Sequence, residues 1–243
     1  MRVFKFGGAS IADAAGIRRL ANIVGTEKNL FIIVSAMGKM TNAFEQLVQV
    51  EDDNSKTLAI EFIKEYHLNI AAELFQKEDI IFQKLNGFFH QIEQLSIQFA
   101  EVNYDFLYDQ VVSFGELISS TIVNHYLQST GLESQWLDAR KLIRTDESYR
   151  EALVNWKTTD DNIQKACEKG GVYLSQGFIA GSENGLTTTL GREGSDYSAA
   201  IMAYALKAES LTIWKDVEGV LNADPRYFQK TELLRELSYG EAI

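Results

Sequence analysis

The chain has 243 residues, 46% of them hydrophobic, and its 34 Asp and Glu outweigh 23 Lys and Arg for a formal net charge of −11. That size suffices to bury the core of one large α/β domain, and the acidity, with no long Lys/Arg run against it, argues against a general binder of nucleic acid or anionic membrane. A lone Cys167 excludes an intrachain disulfide and a Cys-rich zinc site; with no signal peptide and no membrane-spanning apolar run, a soluble cytoplasmic protein is expected.

Arg2–Phe6 reads as a short buried strand broken at Gly7-Gly8, with a helix following from Ile11 to Val24. Lys5 stands before the glycines with only Phe6 between. A Walker A lysine follows its glycines at a fixed spacing, so this is no P-loop; even so, the amides of Gly7 and Gly8 can approach a phosphate closely, beside a compact ammonium. A solvated edge-strand lysine would explain the block equally well. Asn29–Ser35 is an apolar strand suited to a parallel sheet, followed by a loop to Asn42 and a helix beginning near Ala43. Thr41 and Asn42 suit a helix cap, and capping alone would account for them.

From Thr57 to Ala100 the chain turns helical. Leu58, Phe62, Tyr66, Ile70 and Leu74 recur every four residues, and Leu85, Phe88, Phe89, Ile92, Leu95 and Phe99 keep helical spacing, so these are predicted core. His67 and His90 lack a second ligand at metal spacing and read as structural or solvated. A helix over Leu107–Leu127 continues the segment, with Val111, Phe114, Ile118, Ile122 and Tyr126 on one stripe. Gly115 inside it points to close approach of a backbone or a ligand beside Glu116. His125 also lacks partners. An all-helical insertion thus runs over about 43–130.

Ser134–Leu137 reads as a strand, Lys141–Thr159 as an irregular surface excursion with Trp156 as an anchor, and Asp160–Lys169 as a helix ended by Gly170-Gly171. Cys167 on that helix reads as a packed residue without chemistry. Val172–Ser175 is the next strand, and Gly181–Gly185 turns the chain back as a hairpin. Thr187, Thr188 and Thr189 favour a strand, Gly191 and Gly194 permit a sharp turn, and Ser195 or Asp196 can cap the apolar run Ala199–Leu206. A helix start offers free N–H groups and the positive end of a dipole, and Arg192 adds a two-pronged donor, so an anion belongs there. Ser210–Trp214 is a last strand before Lys215-Asp216, and Asp224-Pro225-Arg226 is a turn.

Thr187-Thr-Thr-Leu-Gly-Arg-Glu-Gly-Ser-Asp-Tyr-Ser-Ala-Ala200 resembles the substrate-binding signature of aspartate kinases, within the amino-acid kinase family. Lys5–Ser10, Val34–Asn42, Val112–Glu116 and Ile213–Val220 with Ala223–Arg226 agree with it in family order. The resemblance implies a three-layer α/β/α sandwich with a mainly parallel central sheet. It also implies transfer of the γ-phosphoryl of ATP, with Mg²⁺, to the side-chain carboxylate of L-aspartate, towards lysine, threonine and methionine. That acceptor, with a pKa of ~3.9, is already ionised at neutral pH and needs no general base; the work is electrostatic.

On the same resemblance, Lys5 bridges the transferred phosphoryl group and Asp196 steadies Lys5 without acting as a base. Arg192 grips the α-carboxylate, Glu116 with Asp196 holds the α-amino group, and Ser35 and Thr41, with Ser195, contact the substrate. Gly7, Gly8, Ser10, Lys215, Asp216, Leu221 and Arg226 fall to the nucleotide. No protein-held metal site is expected; a homodimer is the one macromolecular association considered.

Four positions depart from the pattern: Glu193 stands for a glycine, Ala9 and Lys215 for threonines, and Leu221 for a tyrosine. If the turn at Glu193 needs a positive φ, a non-glycine residue is strained there, and its carboxylate could pair with Arg192. The family pattern also continues past Ile243, with a lysine-bearing loop and then regulatory domains, so a truncated catalytic domain without lysine or threonine inhibition is expected. The competing readings are a family member with another acceptor, and a fragment that binds ATP or aspartate without transferring.

Overall fold

The computed structural model describes residues 1–98 and 103–242; Phe99 and Ala100 lie outside them. Strand β1 (Arg2–Phe6) leads through a 3₁₀ turn to helix α1 (Ala14–Val24), whose Asp13 cap accepts from Gly16 N at 2.6 Å. Strand β2 (Leu30–Val34) precedes α2 (Met40–Gln49), α3 (Asp53–Leu74), α4 (Ile80–Gln98), α5 (Tyr104–Val112) and α6 (Phe114–Ser129). Then come β3 (Ser134–Leu137), the short α7 (Ala139–Leu142), β4 (Arg144–Thr145), α8 (Trp156–Ala166), β5 (Val172–Gln176), β6 (Ile179–Ser182) and β7 (Thr187–Thr189). Helix α9 (Gly194–Ala205), β8 (Leu211–Trp214), β9 (Val220–Leu221), β10 (Leu233–Leu234) and α10 (Tyr239–Ala242) complete the described chain.

The central sheet runs β3-β5-β2-β1-β8 with every pairing parallel. Side chains alternate across a strand, so one face takes Phe4, Phe6, Leu30, Ile32, Val34 and Leu174, and the other takes Val3, Phe31, Ile33 and Tyr173. The first face packs under α1–α6 and the second under α8 and α9, which makes the three layers expected from the sequence. Beside it, β4-β6-β7 form a small sheet in which β6 and β7 are the predicted hairpin. No described helix is long and apolar enough to cross a membrane.

Several local expectations need correction. Thr41 and Asn42 do not cap α2: Lys39 holds that position without a side-chain cap, and both lie in the first turn. Leu58 and Phe62 are exposed, at 58% and 56%, and the buried stripe of α3 is Ile60, Ile63, His67, Ile70 and Ala71. A strict four-residue repeat drifts about 40° per step around a 3.6-residue helix, so one such row cannot stay inside. His67 is structural: its Nδ1 lies 2.7 Å from Ile63 O, and burial pushes its pKa down to about 4. His125 is not without a partner, since its Nε2 lies 2.7 Å from Asp79 Oδ1.

The helix expected over Leu107–Leu127 is two helices, parted at Ser113, whose hydroxyl donates to Gln110 O at 3.0 Å and competes with the backbone ladder. The stretch after Lys141 is more ordered than expected, carrying β4 and the start of α8. Trp156 anchors nothing in the core; it is 46% exposed, with its ring edge-on to Tyr197 and Tyr204. Cys167 is buried as a packed residue would be, and burial pushes its thiol up to about 12.

Candidate active site

Lys5 shares the β1 face of Val3, so the alternation that buries Val3 under α9 carries the ammonium to the same layer. There it meets Asp196 Oδ1 at 2.5 Å, in the first turn of α9. The other oxygen of Asp196 meets Lys215 Nζ at 3.3 Å, from the residue after β8. Burial alone would raise the Asp196 pKa, but the two ammonium groups hold it below the usual carboxylate range.

From the opposite layer comes Glu116. A Cβ on Gly115 would lie 2.9 Å from Ala36 Cβ, so only glycine lets α6 sit this close to the end of β2. Glu116 Oε1 then accepts from Ala36 N at 3.1 Å, and one turn on, Ser119 Oγ donates to Ser35 O at 2.6 Å. Glu116 is buried and its Oε2 has no hydrogen-bond partner among the described residues. Burial pushes its pKa up to about 8, against the pull of the Ala36 amide and Lys5. A buried carboxylate with one free oxygen is suited to receive a cation.

The turn before α9 is strained where the departures suggested. Glu193, not Ser195 or Asp196, takes the N-cap position of α9, at φ 54°, ψ 22°, and makes no side-chain cap. No ion pair joins it to Arg192 among the described residues. The described non-glycine residues at positive φ are Arg150, Phe178, Glu193 and Lys207, and the first three line one cavity. Such residues cost on the order of 1–3 kcal/mol each and gather at ligand clamps.

That cavity, of about 800 Å³, opens at the carboxyl ends of β1 and β2, where ligands of open α/β sheets gather. Lys5, Gly8, Ser35, Thr41, Glu116, Arg192, Ser195 and Asp196 all line it. Gly7 and Ser10 lie just behind: Gly7 N and Ser10 Oγ both donate to Trp214 O at 3.3 Å. Lys215 reaches the site through Asp196. Asp216, Leu221 and Arg226 lie outside the cavity lining, and Arg226 pairs with its neighbour Asp224 at 2.6 Å.

Sequence reasoning missed Asp109 and Arg150. Asp109 is fully buried; its oxygens accept from Thr189 N at 2.8 Å, Thr189 Oγ1 at 2.7 Å and Arg150 N at 3.0 and 3.2 Å. Burial pushes its pKa up to about 6, against those hydrogen bonds. A lone acid in the apolar run Phe106-Leu-Tyr-Asp-Gln-Val-Val112 was the available signal, since a charge on a core-facing helix needs a partner.

Fold and site together define an α/β protein with a polar cavity at the strand ends, in which Lys5, Arg150 and Arg192 stand among acidic side chains. The chain belongs to the amino acid kinase family, whose model matches residues 1–243. It is similar to the lysine-sensitive aspartokinase 3 of Escherichia coli, 31% identical over 99% of this chain and 54% of that protein. To the aspartokinase of Chlamydia trachomatis it is 34% identical, over 98% of this chain and 54% of that one. A crystal structure of E. coli aspartokinase III in complex with aspartate and ADP superposes with a TM-score of 0.89 at 30% identity, covering 96% of this chain and 53% of that one. The chain thus spans about half the length of these relatives.

Proposed function

We propose that the chain is the catalytic domain of an aspartate kinase, transferring the γ-phosphoryl of ATP to the side-chain carboxylate of L-aspartate to give 4-phospho-L-aspartate and ADP. The observation that carries this reading is the convergence of Lys5, Glu116, Arg192 and Asp196, from distant parts of the chain, on one cavity. A free α-amino acid fits that set: Arg192 takes the α-carboxylate and Glu116 Oε2 takes the ammonium. Thr41, Ser35 and Ser195 offer hydroxyls to the side chain. A carboxylate oxygen attacks the γ-phosphorus, the bond to the β,γ-bridging oxygen breaks, and ADP leaves with the bond's electron pair. Lys5 neutralises charge spreading over the phosphoryl oxygens, and Asp196 fixes its position.

Gly8 stands at the phosphate end of the cavity, with Gly7 and Ser10 behind it held on Trp214 O, while Lys215, Asp216, Leu221 and Arg226 serve the rest of the nucleotide. No group of three or more His, Cys, Asp or Glu among the described residues is arranged to hold a metal. Mg²⁺ would arrive with the phosphate oxygens of ATP and would supply further charge neutralisation, with Asp196 a cavity carboxylate able to meet it. The substrates and the unpaired Cys167 suit a cytoplasmic setting, and light scattering on the purified chain tests whether two copies associate.

Incubation with ATP, Mg²⁺ and L-aspartate, trapping the acyl phosphate as its hydroxamate, tests the reading directly. Hydroxamate formed with aspartate and not with glutamate or acetylglutamate supports it. Another preferred acceptor, or aspartate binding without product, would overturn it.

A further inference from the structure

Arg150 is a second guanidinium on the cavity wall, and the fold fixes its backbone tightly. Its φ of 70° is one that residues with a Cβ rarely adopt. The buried Asp109 carboxylate holds it there, accepting from Arg150 N with both oxygens while also gripping Thr189. Thr189 ends β7, the strand that leads into the Arg192 turn. One acid therefore ties the two arginine-bearing segments together.

Pairing across those segments sets the distance between the arginines. Glu151 and Leu190 form an antiparallel bridge, Ala152 N donates to Thr189 O at 3.0 Å, and a Cβ on Gly191 would lie 3.3 Å from Arg150 O. Arg150 is thus opposite Gly191, one residue from Arg192. Its guanidinium carbon lies 4.4 Å from the Tyr108 ring centroid and 5.7 Å from that of Tyr104, and the group makes a loose ion pair, 3.6 Å, with exposed Asp105. A guanidinium carries five N–H donors, more than one loose ion pair engages, so donors remain for a further carboxylate. A carboxylate has about four lone-pair sites, more than one bidentate arginine fills.

We propose that Arg150 is a second ligand of the substrate α-carboxylate, acting beside Arg192, and that Asp109 is the positioning residue that presents it. The proposal rests on the aspartate reading above and adds to it a source of selectivity: substrates without an α-carboxylate lose both arginines.

The test measures aspartate binding by titration calorimetry and steady-state kinetics for the parent chain, Arg150→Ala and Arg150→Lys, with the α-amide of aspartate (isoasparagine) as the uncharged comparison. Arg150→Ala is expected to weaken aspartate binding and raise its KM about 10- to 100-fold, the loss of one charge-assisted hydrogen bond, with kcat and the KM for ATP within a few-fold of the parent. It should also shrink the preference for aspartate over isoasparagine, which a merely structural strap would leave unchanged. Arg150→Lys should recover part of both, and Asp109→Asn should reduce the preference with Arg150 still present. If Arg150→Ala fails to fold, Arg150→Lys with parental affinity and preference overturns the proposal. So does a folded Arg150→Ala with both unchanged, while leaving the aspartate reading intact. A parent that neither binds nor phosphorylates aspartate overturns both.

Discussion

Around the cavity, the wall made by residues near Ser35, Glu116, Arg150 and Arg192 is braced by buried carboxylates, whereas the segment from Lys215 to Leu237 beside it lies open. In the first region Asp109 and Glu116 each fasten backbone amides from distant parts of the chain. In the second, Val217, Val220, Tyr227 and Phe228 are exposed, and Arg226 pairs with its near neighbour Asp224. On the proposed reading the first region is the amino-acid half of the site, pre-organised so that its energetics lie in oriented, desolvated groups, and the second is the nucleotide half, which depends on solvated charge. Asp196, shared between Lys5 and Lys215, joins them. Substitutions should therefore have unequal effects on the two sides.

The sharpest break is Lys5→Ala. Lys5 is buried and already ion-paired, so it spends no reorganisation on meeting the transferring phosphoryl group. Removing one such oriented donor typically lowers rate by about 10²–10³, and the loss should fall on kcat while aspartate binding, measured by calorimetry, is largely kept. A folded Lys5→Ala turning over at the parental rate would remove the basis of the proposed chemistry.

Glu116→Gln comes next and carries a pH signature. The folded-state pKa of Glu116 is raised to about 8 from 4.5. Between those values the unfolded chain gives up this proton more readily than the empty folded protein does, so the group lowers stability progressively as pH rises, by about 1.4 kcal/mol per unit at most, and the loss levels off above pH 8. Gln removes that slope: melts from pH 5 to 8 should separate parent and variant increasingly, with the variant the more stable. The same group should make aspartate binding release about one proton near pH 7, as the ammonium draws Glu116 into its ionised form, read from calorimetry in buffers of different ionisation heat. Gln should abolish the release and raise the KM for aspartate about 10- to 100-fold. Equal melts across the range, or no proton released by the parent, would mean that Glu116 is ionised in the empty site.

What could be read from the chain follows the same division. The strands of the central sheet are short apolar runs ended by glycine or polar residues, a local signal, and they stand within a residue or so of expectation. The converging residues Lys5, Glu116, Arg192 and Asp196 were named from motif blocks; nothing local showed that β1 alternation would point Lys5 at Asp196 until the sheet order was known. Helix faces were less legible, because the four-residue row through Leu58 and Phe62 resembles a core stripe until its drift is followed. Asp109 and Arg150 went unseen because each has its meaning through a partner 41 positions away. The N-cap of α9 was misplaced for a different reason: capping propensity favours Ser195 and Asp196, while the turn geometry moved the cap to Glu193, a residue with little preference for a left-handed backbone.

The smallest effects belong to the open side. Lys215 is half-exposed and shares Asp196 with Lys5, so Lys215→Thr leaves Lys5 its partner and should change kcat by no more than a few-fold. Its loss should raise the KM for ATP by less than about tenfold, because a solvated ammonium gives up hydration and side-chain freedom for each phosphate contact it makes. Arg226 is still more exposed, so Arg226→Ala should move the KM for ATP less again and leave the melting temperature unchanged. Both increments should shrink as salt is raised from about 0.05 to 0.5 M, since the screening length of charges in solvent falls from roughly 14 Å to roughly 4 Å over that range. The effect of Glu116→Gln on aspartate, made inside a buried pocket, should barely respond to the same salt. If Lys215→Thr instead lowered kcat as far as Lys5→Ala, with no salt dependence, Lys215 would be part of the oriented machinery, and the boundary between the two halves would lie on the far side of β8.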